Sequence, residues 1–217
     1  MRRNILKMHL DILDSKRAEL LEHLIPLSKG FILGGGTSLA LQLRHRKSYD
    51  FDFFTKLQIP KNLLETLARS LDIHTVSVDT INELTIFTND EVKVTFLCYP
   101  FDNAFEPIES ENGLMIFSAK DLAIKKAYTI GRRGEYRDYF DLYTILKNNI
   151  IGLDEIIAKA KEIYKGAFEE KIFLQQLVYF EDLLDFTIMP VDASKIPDTL
   201  QVKEFFEELV EKYISPA

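Results

Sequence analysis

LGGGTSLALQLRHRKSYDFDFFT, residues 33–55, is the stretch from which the rest of the chain can be read. Gly34, Gly35 and Gly36 have no Cβ, so this turn can take backbone conformations closed to other residues and lets a phosphate approach the main chain closely. Thr37 and Ser38 add hydroxyls where a helix would begin, and Leu39, Ala40, Leu41 and Leu43 continue it. The first turn of such a helix has N–H groups with no partner inside it, which suits an anion. Next come Asp50-Phe51-Asp52-Phe53-Phe54. In a strand this alternation places Asp50 and Asp52 on one face, about 7 Å apart along the backbone, with Phe51 and Phe53 turned to a core. Two neighbouring carboxylates suit a hard cation such as Mg²⁺.

Working outward, the short apolar run Phe31-Ile32-Leu33 reads as a buried strand stopped by glycine. Residues 1–29 predict one or two helices, and residues 60–71 an amphipathic helix with Leu63, Leu64, Leu67 and Leu71 on one side. Residues 74–78, 83–87 and 92–99 alternate as strands, with Asn89-Asp90 as the turn between the last two. Residues 100–112 read as loop. From Ser118, a helix cap, the chain turns helical: about 118–130, a break at 131–134, then 136–147, 153–164, 168–186 and 202–213. Phe173, Leu177, Phe180 and Leu184 read as a core stripe. The expected architecture is α+β, a mixed sheet flanked by helices and then a helical bundle, with domains at 1–117 and 118–217.

The composition sets limits. Of the 217 residues, 47% are hydrophobic and 28% charged, a profile that can bury a core. No apolar run has the length of a membrane span and the N-terminal segment lacks a signal-peptide pattern, so the expected setting is cytoplasmic, with no membrane partner. Cys98 is the sole cysteine, which excludes an internal disulfide and a cysteine-based zinc cluster. A net charge of −7 argues against broad affinity for nucleic acid. Positive charge is nevertheless grouped: Arg44, His45, Arg46 and Lys47 precede the acidic pair, as a solvated turn or as a contact for RNA or nucleotide.

A second constellation lies in SAKDLAIKKAYTIGRRGEYRDYFDLYTIL, residues 118–146. Asp138 and Asp141 are three apart and so neighbours near a helix N-terminus, where the dipole favours carboxylates. Lys126 and Arg133 have the chemistry to hold phosphates, one as a point charge and the other as a planar fork. Lys126 and Arg133 could instead be salt-bridged to Asp138 or Asp141 as a structural network.

The glycine turn, the thirteen-residue spacer and the Asp-x-Asp strand resemble the nucleotidyltransferase signature of the DNA polymerase beta-like superfamily. GGTSLALQLRHRKSYDFDFF, with Lys126, Arg133, Asp138 and Asp141, resembles more narrowly the AbiEii/AbiGii abortive-infection toxin family, over about residues 30–212. The resemblance implies a polymerase-beta-like sheet whose site the helical half completes. It further implies an Mg²⁺-dependent enzyme that moves a nucleotide from a nucleoside triphosphate to a hydroxyl acceptor such as tRNA, restrained by an antitoxin encoded in a neighbouring gene. Carried over by position, Asp50 and Asp52 would be metal-binding and catalytic, and Lys126 and Asp141 catalytic. Gly35, Gly36, Thr37, Ser38, Arg133 and Asp138 would bind nucleotide.

One departure stands out. Thr95 occupies the strand position where the superfamily often places a third carboxylate, so Asp138 or Asp141 would have to supply that acid. Two other readings remain open: a nucleotide-binding regulatory protein that has lost turnover, and transfer to a protein or small-molecule hydroxyl.

Overall fold

The alternation in residues 51–54 folds as the pattern demands. In the computed structural model, which describes residues 5–130 and 132–215, β2 (Phe51–Thr55) buries Phe51 and Phe53 completely and leaves Asp52 half-buried on its opposite face. Phe53 stacks on Phe96 at 5.0 Å between ring centroids, and Phe31 meets the same ring edge-on at 4.9 Å. Each buried phenylalanine contributes roughly 1.5–3 kcal/mol through apolar burial.

The chain divides into two units, the first comprising the residues up to Phe101 together with Glu106–Ser118. Its sheet has seven strands in the order β3-β4-β5-β2-β1-β7-β6. These are β1 (Ile32–Gly34), β2, β3 (Ile73–Asp79), β4 (Glu83–Thr88), β5 (Lys93–Cys98), β6 (Ile108–Glu109) and β7 (Met115–Ile116). β2 runs parallel to β5, and β1 parallel to β7, while the other pairs are antiparallel, so the sheet is mixed as expected. The helices of this unit are α1 (Ser15–Leu27), α2 (Gly35–Leu43) and α3 (Leu63–Ala68). Asp14 caps α1 by accepting from the Arg17 N–H at 3.0 Å.

The second unit holds Asp102–Phe105 and the residues from Ala119 onward. Its helices are α4 (Ala119–Thr129), α5 (Tyr136–Lys147), α6 (Leu153–Tyr164), α7 (Glu170–Val178) and α8 (Thr199–Ile214). A capping box of Asp198 and Gln201 starts α8. No helix among the described residues is long and apolar enough to cross a membrane.

Several expectations need correction. The stretch read as loop over 100–112 contains β6, whose two residues are too short to show a period. The helix expected over 168–186 stops at Val178, because Phe180 leaves the helical path to pack on Tyr139, with ring centroids 5.1 Å apart. Beyond that point helical spacing no longer predicts burial: Leu183 is inside, and Leu184 is 94% exposed. Of the expected break at 131–134, Gly131 lies outside the described residues.

Candidate active site

The glycine turn is tighter than a loop. Gly34 ends β1 and pairs with Asp52 across the antiparallel β1–β2 ladder, and α2 begins at once with Gly35. Gly35 has φ +66°, the left-handed region that a residue with a side chain rarely adopts. The Asp52 carboxylate lies against it so closely that a Cβ at Gly35 would overlap Asp52 Oδ2. The carboxylate is thereby held at the N-terminal end of α2.

Gly36 is equally crowded, by a different group. An added Cβ would meet Arg46 Nη2, with Ser48 Oγ at 3.1 Å. Arg46 is buried, and its Nη1 donates to the Lys47 carbonyl at 3.0 Å. The basic stretch thus separates into different roles. Arg44, at φ 53°, ends α2 and pairs with Asp11 at 2.6 Å, whereas Arg46 folds back beneath the turn. The sequence left Arg46, together with its basic neighbours, as a solvated turn or a contact for RNA or nucleotide and did not single it out. Its position between a glycine-led helix and an acidic strand was the available signal.

Thr37 and Ser38 are buried; the Thr37 hydroxyl serves the fold, and Ser38 Oγ lies 3.4 Å from Gln42 Nε2. Thr37 donates to the Asp50 carbonyl and lies 3.0 Å from Ser48 Oγ, tying the start of α2 to the entry of β2. Gln42 Nε2 donates to the Ser38 and Phe117 carbonyls, both at 2.9 Å, which fixes α2 against the end of β7. What the turn can offer a ligand is therefore its main-chain N–H groups. Asp50 lies one residue before β2, with its side chain exposed.

Thr95 pairs with Asp52 in the parallel β2–β5 register, so the position expected for a third acid does stand beside Asp52 on the same face. Among the described residues no group of three or more His, Cys, Asp or Glu is arranged to hold a metal. An aspartate pair still fits Mg²⁺, which commonly takes one or two carboxylates and completes its shell with substrate phosphates and water.

Lys126, Arg133, Asp138 and Asp141 come together in the second unit. Lys126 Nζ reaches Asp138 Oδ1 and Asp141 Oδ2, each at 2.6 Å. Arg133 forks onto Asp138, with Nε at 2.7 Å from Oδ2 and Nη2 at 3.0 Å from Oδ1. Burial pushes the Asp138 carboxyl up, but the Lys126 and Arg133 charges outweigh it and hold the group below the usual aspartate range. Lys126, Asp138 and Asp141 are buried, while the Arg133 side chain is largely exposed. The network is charge-balanced, so a phosphate would engage Lys126 or Arg133 by competing with carboxylates already in place.

Comparison with known proteins agrees with the sequence motifs. The family model for the nucleotidyl transferase AbiEii toxin, of type IV toxin–antitoxin systems, matches residues 19–212. An uncharacterized protein of Aquifex aeolicus is 31% identical over 210 residues, covering 93% of this chain and 98% of the relative. Two solved structures share the fold. MenT4, a nucleotidyltransferase toxin of Mycobacterium tuberculosis, superposes with a TM-score of 0.58 at 12% identity, over 94% of this chain and 87% of that one. A candidate nucleotidyltransferase from H. pylori gives 0.56 at 18% identity, over 94% and 100%.

Proposed function

Because the chain belongs to the nucleotidyl transferase AbiEii toxin family, we propose that it transfers a nucleoside monophosphate from a nucleoside triphosphate to a hydroxyl on RNA, tRNA being the favoured acceptor, and that a cognate antitoxin restrains it. The observation that carries this reading is the Asp52 carboxylate seated on Gly35 at the start of α2. An acidic group and a set of main-chain N–H donors then face the same small volume, one suited to a metal ion and the other to phosphate oxygens. Mg²⁺, when bound, supplies charge neutralisation for the phosphates and the leaving group.

Asp52 and Asp50 are assigned as its protein ligands, Asp52 held by the turn and Asp50 more freely placed. The Gly35, Gly36, Thr37 and Ser38 backbone orients the polyphosphate, and Arg46 beneath Gly36 adds positive potential where negative charge gathers. Catalysis on this reading is mostly positioning and electrostatics. Lys126, Arg133, Asp138 and Asp141 are assigned to the same reaction, the cations to phosphate charge and Asp141 to support of Lys126.

The test uses the full chain with labelled triphosphates, Mg²⁺ and total RNA. Label should enter RNA, and Asp52→Ala should abolish incorporation. Asp141→Asn should also abolish it; normal turnover in that variant would remove the second cluster from the reaction. The presence of Thr95 where a third carboxylate is expected favours one rival, a regulatory protein that binds nucleotide without turnover. Metal-dependent binding with no incorporation into any acceptor would establish that rival.

A further inference from the structure

Thr95 belongs to a polar row that crosses three strands and ends on a carboxylate. The β2–β5 register sets Asp52 beside Thr95, and the β4–β5 register sets Thr95 beside Thr85. Directly paired residues share a sheet face, so the three side chains stand in line. Thr95 and Thr85 are 7% and 3% exposed, and their hydroxyl oxygens are 3.3 Å apart. Thr85 Oγ1 lies 2.8 Å from Glu83 Oε1, two residues along the same strand and on the same face.

The proton directions in this row follow from what each group can do. Thr85 has one hydroxyl proton and two oxygen partners. An ionised carboxylate accepts only, so Thr85 donates to Glu83. With the Thr85 proton committed to the shorter contact, the 3.3 Å contact takes its proton from Thr95, whose oxygen keeps lone pairs to offer elsewhere. A lone threonine would be a poor stand-in for an acid; this one is coupled to a glutamate through a second hydroxyl.

We propose that Glu83 is the displaced third carboxylate of the site, drawing the proton from the attacking hydroxyl through Thr85 and Thr95. In the step, the acceptor hydroxyl gives its proton to Thr95 Oγ1, the Thr95 proton passes to Thr85, and the Thr85 proton passes to Glu83. The acceptor oxygen forms its bond to the α-phosphorus. The bond from that phosphorus to the bridging oxygen breaks, and pyrophosphate leaves with the electron pair. Thr95 is the residue that touches the reacting group; Thr85 and Glu83 are positioning residues acting through it. The inference rests on the assignment of Asp52 to the nucleotidyl-transfer site.

Valine has the shape of threonine without the hydroxyl, and buried strands accept it well. Thr95→Val should therefore keep Tm and triphosphate Kd at wild-type values while lowering kcat by about 100-fold, the lower range for a lost general base. Thr95→Ser restores a hydroxyl and should return kcat to near wild type. Glu83→Gln preserves size but can donate to Thr85, which reverses the row, and should match Thr95→Val with KM unchanged. Wild-type kcat in Thr95→Val or in Glu83→Gln overturns the proposal, as does a Thr95→Ser enzyme no better than the valine variant. If Thr95→Val lowers Tm, the decision passes to Glu83→Gln alone. Asp52→Asn separates the two levels: transfer surviving in it refutes the site itself, whereas a dead Asp52→Asn beside an active Glu83→Gln refutes the relay alone.

Discussion

Asp52 rests its carboxylate on the backbone of Gly35, with no room between them for a methyl group. Gly35→Ala therefore carries two penalties, about 1–2 kcal/mol for a side chain in the left-handed region and the displacement of Asp52. We expect lower unfolding free energy in urea and loss of nucleotide transfer together. An alanine variant that transfers at the wild-type rate would show that Asp52 need not be held there.

Gly36→Ala acts on a different partner. The new methyl would push the Arg46 guanidinium away from the turn. The expected signature is weaker triphosphate binding, measured by filter binding or calorimetry, and Arg46→Ala should weaken it in the same direction. Unchanged Kd in both would confine Arg46 to a packing role.

Lys126 neutralises two buried carboxylates. Lys126→Met would leave Asp141 with its lysine partner gone, and removing one member of a buried pair typically costs about 3–5 kcal/mol. Urea unfolding should show a loss of this order. Replacing Asp141 as well, with leucine, should recover part of it, because the stranded charge is then removed too.

The same network sets an acid limit. The folded Asp138 carboxyl lies below its unfolded value, so its stabilisation is complete above the ordinary aspartate pKa, near pH 4, and is lost as pH falls through the depressed value. Between pH 5 and pH 2 the wild-type chain should lose more unfolding free energy than Asp138→Asn does. Parallel pH curves for the two chains would contradict this.

Leu183 and Leu184 provide a local contrast, one buried and the other 94% exposed. Leu183→Ala should cost about 2–4 kcal/mol as a core truncation. Leu184→Ser should fall within about 0.5 kcal/mol of wild type. Thermal melts of the pair would settle which leucine packs inside.

The parts of this fold that could be read in advance are those in which one local period dominates. Alternation around Phe51 and Phe53 gave the central strand, and helical spacing gave α5, α6 and α8. The sequence was less informative where burial is decided by partners far along the chain. Tyr139 draws Phe180 off its helical path, and nothing within residues 168–186 announces that. The same holds in the site. The glycine turn and acidic strand were visible as motifs, but the descent of Arg46 beneath Gly36 and the line from Asp52 to Glu83 depend on strand register. Thr37 shows the converse: its hydroxyl was legible, and its commitment to the Asp50 carbonyl was not.

β1, the strand that leads into the glycine turn, pairs with β2 on one side and with β7 on the other, where Leu33 meets Ile116. During synthesis its second neighbour emerges from the ribosome only after every other strand of the sheet. Non-local pairings of this kind close late, since loop entropy must be overcome first. Translation halted before β7 would therefore release a chain whose β1 is paired on one side only, with the edge beside its turn still open.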